Sequence, residues 1–397
     1  MFQRHLKSVL LSAAIRYPVI TLTGPRQSGK TTLVKSAFPD HTYLSLELPE
    51  LRRRAIDDPR GLMAEIGGAK VILDEVQRAP DLLSYIQVAV DEDDSPGRFV
   101  LTGSQNLLLM QKVTQTLAGR TAVRSLLPLS LAELLGRDPV TPDTIDLAAT
   151  NPPPSLDRWE AIWAGLYPRI HHRNLPPQEW LADYYRTYVE RDLHDVLRVM
   201  DLDAFDRFVR LVAARTGCEL NYSELASDAG ISQPTAKQWL TALRVGYLVA
   251  VLPPHHRNYR KRLRKRPRLH FLDSGLVCYL LGIRSPRELA GHSLRGPIFE
   301  SFVAGELMKS FLHAGQEAPL FYWRDSRGRE IDILIDLGSR QIPIEVKSGL
   351  TVPADAVDNL TWWCGIADNP NRSGVLVHGG EESYELKGMR VRPWYLD

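Results

Sequence analysis

The 397-residue sequence has no apolar run near the ~18 consecutive positions a membrane-crossing helix needs, so no membrane partner is expected. Cysteine is scarce. Cys218, Cys278 and Cys364 are odd in number and widely spaced, which excludes a disulfide framework and a cysteine zinc site and points to a reducing, cytoplasmic compartment. No internal repeat or low-complexity tract is present, which excludes solenoids and compositionally disordered arrays. A large net charge is also missing. Lys and Arg number 49 against 47 Asp and Glu, so bulk charge dictates no partner. The charge is uneven instead: Asp91–Asp94 is an acidic knot and Arg257–Arg268 a basic run. The length predicts two to four domains, each able to bury a core. Near the start, Arg4 and Lys7 precede the short apolar run Val9–Ile15, which Arg16 ends. It reads as an amphipathic helix beside the first strand rather than as a signal peptide.

What is present begins with Gly24, Pro25, Arg26, Gln27, Ser28, Gly29, Lys30 and Thr31, followed by Thr32. The run Val19–Thr23 before them reads as a buried strand, and Thr32–Phe38 as the first turns of a helix. Strand, glycine loop and helix in that order form a phosphate-cradling P-loop. Glycine lets successive backbone N–H groups face one centre, and the helix N-terminus adds partial positive charge. Lys30 is placed to reach the β- and γ-phosphates and the Thr31 hydroxyl to complete a magnesium shell, which makes ATP and Mg2+ the expected ligands. Arg26 is a further candidate for phosphate or for a partner subunit.

The strand Val71–Leu73 ends in Asp74 and Glu75, 44 positions after Lys30. Asp74 is the candidate to hold magnesium through water, and Glu75 to polarise the attacking water. The strand Phe99–Thr102 leads into Gly103, Ser104, Gln105 and Asn106. Ligands of open parallel sheets lie beyond the carboxyl strand ends, so Ser104 and then Gln105 are candidate γ-phosphate sensors. Arg120 is a candidate for stabilising the transferred phosphoryl group, in cis or from a neighbouring copy.

The first ~135 residues alternate strand and helix, the pattern of a parallel sheet covered on both faces. We place a P-loop ATPase domain at 1–150, a helical linker or lid at 151–205 and a winged-helix unit at 206–284. A smaller α/β unit follows at 285–397. The winged-helix expectation rests on a helix from Tyr222, a turn at Gly230, a second helix capped by Ser232, and a hairpin flanking the basic run. On the second helix Gln233, Thr235 and Lys237 could reach base edges. The run from His255 to Arg268 holds eight Lys or Arg residues, namely Arg257, Arg260, Lys261, Arg262, Arg264, Lys265, Arg266 and Arg268. Such density suits the phosphate backbone of a nucleic acid, most simply DNA.

In the last unit Glu345 and Lys347 stand two apart on a strand and so face the same way. Asp332 lies on the preceding strand and Glu300 on the opening helix. Carboxylates that can hold magnesium, with Asp332 and Glu345 as ligands and Lys347 beside them to orient a water, outline phosphodiester hydrolysis. The opposing expectation keeps these residues for packing or for binding without cleavage.

Taken together, Gly24–Thr31, Leu73–Pro80, Leu101–Asn106, Leu117–Arg120, Pro128–Ser130, Gly165–Pro168, Leu272–Leu276, Gly296–Glu300, Tyr322–Arg324, Glu330–Asp332 and Ile344–Lys347 resemble a family over nearly the whole chain. It is the bacterial and archaeal AAA-type ATPases fused to a C-terminal domain of unknown function with a restriction-endonuclease-like, PD-(D/E)XK fold. The resemblance implies a Mg-dependent ATPase, with Arg120 as arginine finger, a nuclease role for the tail, and homo-oligomers, since AAA-type relatives often form rings. The expected function is ATP hydrolysis that drives or gates a nucleic-acid-directed C-terminal domain. The alternatives are a nucleotide-dependent switch, or a DNA-binding regulator with a non-catalytic nuclease-like domain.

Overall fold

The computed structural model describes residues 2–103, 115–141, 144–145, 151–190, 201–255, 266–367 and 374–396. The first sheet is built from β1 (Val19–Thr23), β2 (Thr42–Ser45), β3 (Val71–Asp74), β4 (Phe99–Thr102) and β5 (Thr121–Ser125), all parallel, in the order β2-β3-β4-β1-β5. Side chains alternate across a strand, so the apolar runs supply two cores. Ile20, Leu22, Ile72 and Val100 meet α1 (Leu6–Ala14) and α2 (Lys30–Ala37) on one face. Val19, Leu73, Phe99 and Leu101 meet α3 (Pro49–Asp57), α4 (Pro59–Ile66) and α5 (Leu82–Glu92) on the other. The apolar N-terminal run thus packs beside β1 through Leu6, Leu10 and Ala13. Because β1 lies between β4 and β5, its carboxyl end opens at a crevice where strand order reverses, the place where such sheets bind ligands.

Beyond α6 (Leu131–Leu135) come α7 (Arg158–Ala164), α8 (Pro168–Arg173) and α9 (Pro177–Tyr184). Then follow α10 (Leu202–Ala214), α11 (Tyr222–Ala229) and α12 (Gln233–Val245), and an antiparallel pair, β6 (Val249–Leu252) with β7 (Arg268–Phe271). Asp157, Asp201, Asn221 and Ser232 cap their helices, each accepting backbone N–H bonds. Phe205 and Phe208 of α10 pack edge-on against Trp239 of α12, with centroids 5.1 and 5.4 Å apart. The turn entering α8 is fixed from a distance. Gly165 has φ 71°, and a Cβ there would stand 2.4 Å from an Asp273 oxygen. Asp273 meanwhile accepts the Leu166 and Leu276 amides at 2.9 Å each, tying the turn to α13 (Ser274–Leu280).

The stretch expected to be a linker, Ser285–Pro297, holds α14 (Pro286–Gly291), capped by Ser285, and the start of α15 (Arg295–His313). Strands β8 (Leu320–Arg324), β9 (Glu330–Asp336) and β10 (Gln341–Lys347) form an antiparallel meander. Helix α16 (Asp358–Ile366) then leads to β11 (Val375–His378), parallel to β10. Two further strands, β12 (Tyr384–Leu386) and β13 (Met389–Pro393), extend the sheet beyond the expected last strand. Between β8 and β9 the register slips by one: Phe321 faces Leu334, but Trp323 faces Ile331. The extra residue in β9 is a bulge, which bends a strand and re-aims side chains, here beside Asp332.

These regions do not keep separate cores. One contiguous cluster runs from Tyr184 and Phe208 through Leu269 and Phe299 to Ile344 and Trp394. The hairpin β6–β7 also docks on β8, with Pro254 bridging Tyr322 and the His255 amide donating to the Tyr322 carbonyl at 2.7 Å.

Candidate functional site

The loop after β1 turns as its glycines allow. Gly24 has φ 147°, and a Cβ there would lie 2.1 Å from the Leu126 carbonyl oxygen. Gly29, with φ 93°, opens α2. Lys30 is 6% exposed, and its Nζ donates to the carbonyls of Gly24 at 3.0 Å and Pro25 at 2.8 Å. Burial lowers the Lys30 pKa to about 8, against the raising pull of Glu75 and Asp74. Ser28 Oγ is buried without a hydrogen-bond partner.

Parallel pairing brings the end of β3 to this loop. Thr31 Oγ1 donates to Asp74 Oδ2 at 2.9 Å, and Tyr43 Oη donates to the same oxygen at 2.6 Å. Thr102 Oγ1 donates to Asp74 Oδ1. The hydroxyl and carboxylate that would share a magnesium shell are therefore adjacent and oriented, so this donor set fits the ion. Glu75 sits at φ 60°, an uncommon backbone conformation that sets its side chain apart from β3. Its pKa is raised by burial and by Asp74, while Lys30 and Gln77 pull it down.

A cavity of about 910 Å³ opens over the loop, lined by Arg26, Gln27, Gly29, Lys30, Thr31, Thr32 and Glu75. It is also lined by side chains that the sequence reading did not assign. Phe2, Arg4 and Lys7 come from the N-terminus, and Arg169, His172 and Arg173 from α8. Phe2 and His172 meet edge-on at 6.3 Å. The surplus of cationic groups suits a polyphosphate.

Not every candidate converges here. Arg120 precedes β5 and lies level with the start of β1, about 16 Å of strand from the P-loop end. It pairs with Asp91, Nη2 to Oδ2 at 3.0 Å, so the expected role in cis is corrected. The reason is topological: strand beginnings and strand ends lie on opposite edges of a parallel sheet. Ser104 and Gln105 lie outside the described residues.

A second cluster forms in the last unit. Lys347 Nζ donates to Glu345 Oε2 at 3.0 Å, as their shared strand face requires. Asp332 Oδ2 accepts the Val346 amide at 2.9 Å. Arg268 of β7, 5% exposed, enters the middle. Its Nη1 lies 3.0 Å from Glu300 Oε1 and 3.3 Å from Asp332 Oδ1, and its Nη2 3.1 Å from Glu330 Oε2. Burial and Asp332 raise the Glu300 carboxyl above its usual range, and burial and Asp332 likewise raise Glu345. Among the described residues no group of three or more His, Cys, Asp or Glu side chains is placed to hold a metal ion. The residues are those expected, but a guanidinium stands among them, so as arranged they do not fit a divalent ion.

Comparison with known proteins follows this division. Residues 16–135 match the AAA domain model. Residues 156–287 and 295–396 match two domains of unknown function, DUF8612 and DUF4143. The uncharacterized protein Rv2008c of Mycobacterium tuberculosis is 31% identical over 351 residues, covering 87% of this chain and 74% of the relative. Mb2031c of Mycobacterium bovis, also uncharacterized, matches with the same figures. The chain belongs to the family of these mycobacterial proteins. Among solved structures, the Walker-type ATPase PABY2304 of Pyrococcus abyssi is 14% identical, covering 70% of this chain and 96% of that one, with a TM-score of 0.42. A RuvB variant of Thermotoga maritima is 18% identical, covering 62% and 87%, with a TM-score of 0.29.

In this member of the family the N-terminal region is thus an AAA-type P-loop ATPase domain on a parallel sheet. The C-terminal domain is a mixed α/β sheet unit. Of the basic run, Arg257, Arg260, Lys261, Arg262, Arg264 and Lys265 lie outside the described residues. Arg266 is exposed, while Arg268 is buried among carboxylates and unavailable to a phosphate backbone, which corrects its assignment to the nucleic-acid surface. Gln233 and Lys237 are exposed near the start of α12. Gln233 Nε2 donates to Ser223 Oγ at 3.1 Å, and Lys237 lies over the Tyr222 ring at 5.6 Å. Thr235 is half-buried, and its amide donates to Ser232 Oγ at 3.2 Å. No helix among the described residues is long and apolar enough to cross a membrane.

Proposed function

We propose that this chain is a magnesium-dependent ATPase whose nucleotide state switches its hold on a nucleic acid, through a C-terminal domain that binds without cutting. The observation that carries the reading is the 2.9 Å contact of Thr31 Oγ1 with Asp74 Oδ2, beside Lys30 and beneath the cavity. Thr31 and Asp74 would hold magnesium, which would supply neutralisation of the phosphate charge. Lys30 exchanges its two carbonyl partners for phosphate oxygens. Glu75, its pKa raised chiefly by burial, is placed to take the proton of the attacking water. Arg169 and Arg173 extend positive charge from the middle region into the cavity, so phosphate release alters what holds α8.

Two readings of the C-terminal domain compete: cleavage and binding alone. The contacts of Arg268 with Asp332 and Glu300 favour binding. The helices α10–α12 followed by the hairpin β6–β7 have the element order of a winged helix, and its basic connection supports contact with DNA phosphates. A ring or dimer in which a neighbouring copy presents Arg120 belongs to the same proposal.

The test is ATP turnover with and without duplex DNA, following DNA length. The reading expects turnover, lost in Lys30→Ala, changed by DNA, and DNA left intact with magnesium. Magnesium-dependent DNA cleavage that Asp332→Asn abolishes would establish the cleaving alternative. ATP turnover unchanged in Lys30→Ala would refute the ATPase reading itself.

A further inference from the structure

The carboxylate cluster of the C-terminal domain has an unusual charge balance. Glu300, Glu330, Asp332 and Glu345 bring four carboxylates together, against the buried Arg268, the half-exposed Lys347 and, at the rim, Arg324, whose Nε lies 3.8 Å from Glu330 Oε2. The groups come from three places. Glu300 stands on α15; Glu330, Asp332, Glu345 and Lys347 stand on β9 and β10; Arg268 arrives from the hairpin of the preceding region. Asp332 and Glu345 are 7% and 2% exposed, and Glu345 Oε1 is buried with no hydrogen-bond partner. Buried carboxylates are strongly destabilising unless a cation compensates them. A planar guanidinium can do this for several acceptors at once, because its N–H groups fan out in a fixed fork. The Arg268 side chain is itself positioned by the Tyr322 ring, 5.3 Å from the guanidinium carbon. Tyr322 in turn holds the hairpin through its backbone bonds to Pro253 and His255 and its hydroxyl bond to the Arg266 carbonyl.

We infer that Arg268 is the built-in cation of this cluster: it takes the place of a divalent ion and fastens hairpin β6–β7 to the C-terminal domain. While Arg268 is in place the cluster binds no divalent metal. Removing only the guanidinium frees Asp332 and Glu300 to close with Glu345 on a divalent ion, as hard oxygen donors of the kind magnesium and manganese prefer. The proposal is independent of the ATPase reading, and either can fail alone.

The experiment uses the full chain carrying Lys30→Ala, without nucleotide, titrated with Mn2+ and followed by the electron paramagnetic resonance signal of the free ion. Background binding at the nucleotide loop is separated by adding Asp332→Asn. With Arg268 present, no Mn2+ binding that depends on Asp332 is expected. Arg268→Gln gains one site, at least tenfold tighter than any background, and Arg268→Gln/Asp332→Asn loses it again. An Asp332-dependent site with Arg268 in place overturns the inference, as does a folded Arg268→Gln protein that gains none. If Arg268→Gln does not fold, the set Arg268→Gln/Glu300→Gln/Asp332→Asn is expected to recover the native circular dichroism spectrum, since the cation goes together with its two more buried partners while Glu345 keeps Lys347 and Glu330 keeps Arg324. Failure to recover overturns the inference as well.

Discussion

Arg4 Nη1 donates to the carbonyl oxygen of Ser28, inside the phosphate loop, at 2.6 Å. The same guanidinium reaches Glu133 Oε2 through Nε at 3.0 Å and the Leu127 carbonyl through Nη2 at 2.7 Å. Glu133 caps α6 in a reciprocal box with Ser130, and its other oxygen lies 3.5 Å from His313 Nδ1 at the end of α15. Glu306, on the same helix, accepts the Leu131 amide at 2.8 Å. One buried chain of contacts therefore runs from the nucleotide loop to the helix that opens the C-terminal domain.

Removing one partner of a buried pair leaves the other charge uncompensated, a cost of about 3–5 kcal/mol. Arg4→Ala is expected to lose stability on that scale in urea titrations and to weaken ATP binding as the loop loosens. Arg4→Lys keeps the charge but not the fork, and restores little of either. Wild-type ATP affinity in a folded Arg4→Ala protein would show that the loop does not depend on Arg4.

The Lys30 ammonium, with its pKa lowered to about 8 by burial, loses charge as pH rises through that value. Phosphate oxygens favour the charged form, so ATP binding near pH 8 should take up protons and affinity should fall above it. Calorimetry in buffers of different ionisation enthalpy measures the uptake, which should vanish near pH 6.5. No uptake at pH 8 would mean that Lys30 stays fully charged in the free protein.

Glu75→Gln keeps the shape of the side chain but cannot accept a proton. Turnover should fall by roughly 10²- to 10⁴-fold while ATP affinity is retained. Gly24→Ala is a control of the other kind: its Cβ would meet the Leu126 oxygen at 2.1 Å, so binding itself should be lost. Equal loss of affinity in both variants would contradict the role given to Glu75.

His270 and His313 are buried. Burial, with the nearby charge of Arg268 for His270, holds His270 at about 3. Burial also holds His313 at about 3, where Arg4, Lys309 and His5 lower it and Glu133 opposes them. Unfolded histidine takes up its proton below about 6.5, so stability is full above that pH and falls as pH drops from 6.5 towards 3. Near pH 5.5 each should cost about 1.4 kcal/mol. Urea midpoints of His270→Asn and His313→Gln, measured between pH 8 and 5, should slope less than those of the parent protein.

Much of this organisation was legible in residue order. The P-loop, the acidic end of β3 and the shared face of Glu345 and Lys347 follow from local spacing, because one strand or one turn decides each. Features that depend on distant pairing were not legible. Arg4 and Glu133 are 129 positions apart, and Tyr43 reaches Asp74 only because β2 lies beside β3. Residue order makes Arg268 the last member of a basic run suited to a phosphate backbone, whereas burial in the cluster decides its role. The bulge in β9 has no mark in the local sequence, whereas β12 is marked only by the glycines that flank it, Gly380 and Gly388. The α8 cations gave no sign either, since Pro168–Arg173 is an ordinary short helix until the fold turns it towards the loop.

The most direct measurement is equilibrium binding of ATP with magnesium to the full chain, compared with Lys30→Ala, by calorimetry. Saturable one-site binding that the variant loses at least a hundredfold is the expected result. No measurable affinity of the unaltered chain for any purine triphosphate, with magnesium or manganese present, would contradict the assignment of the site.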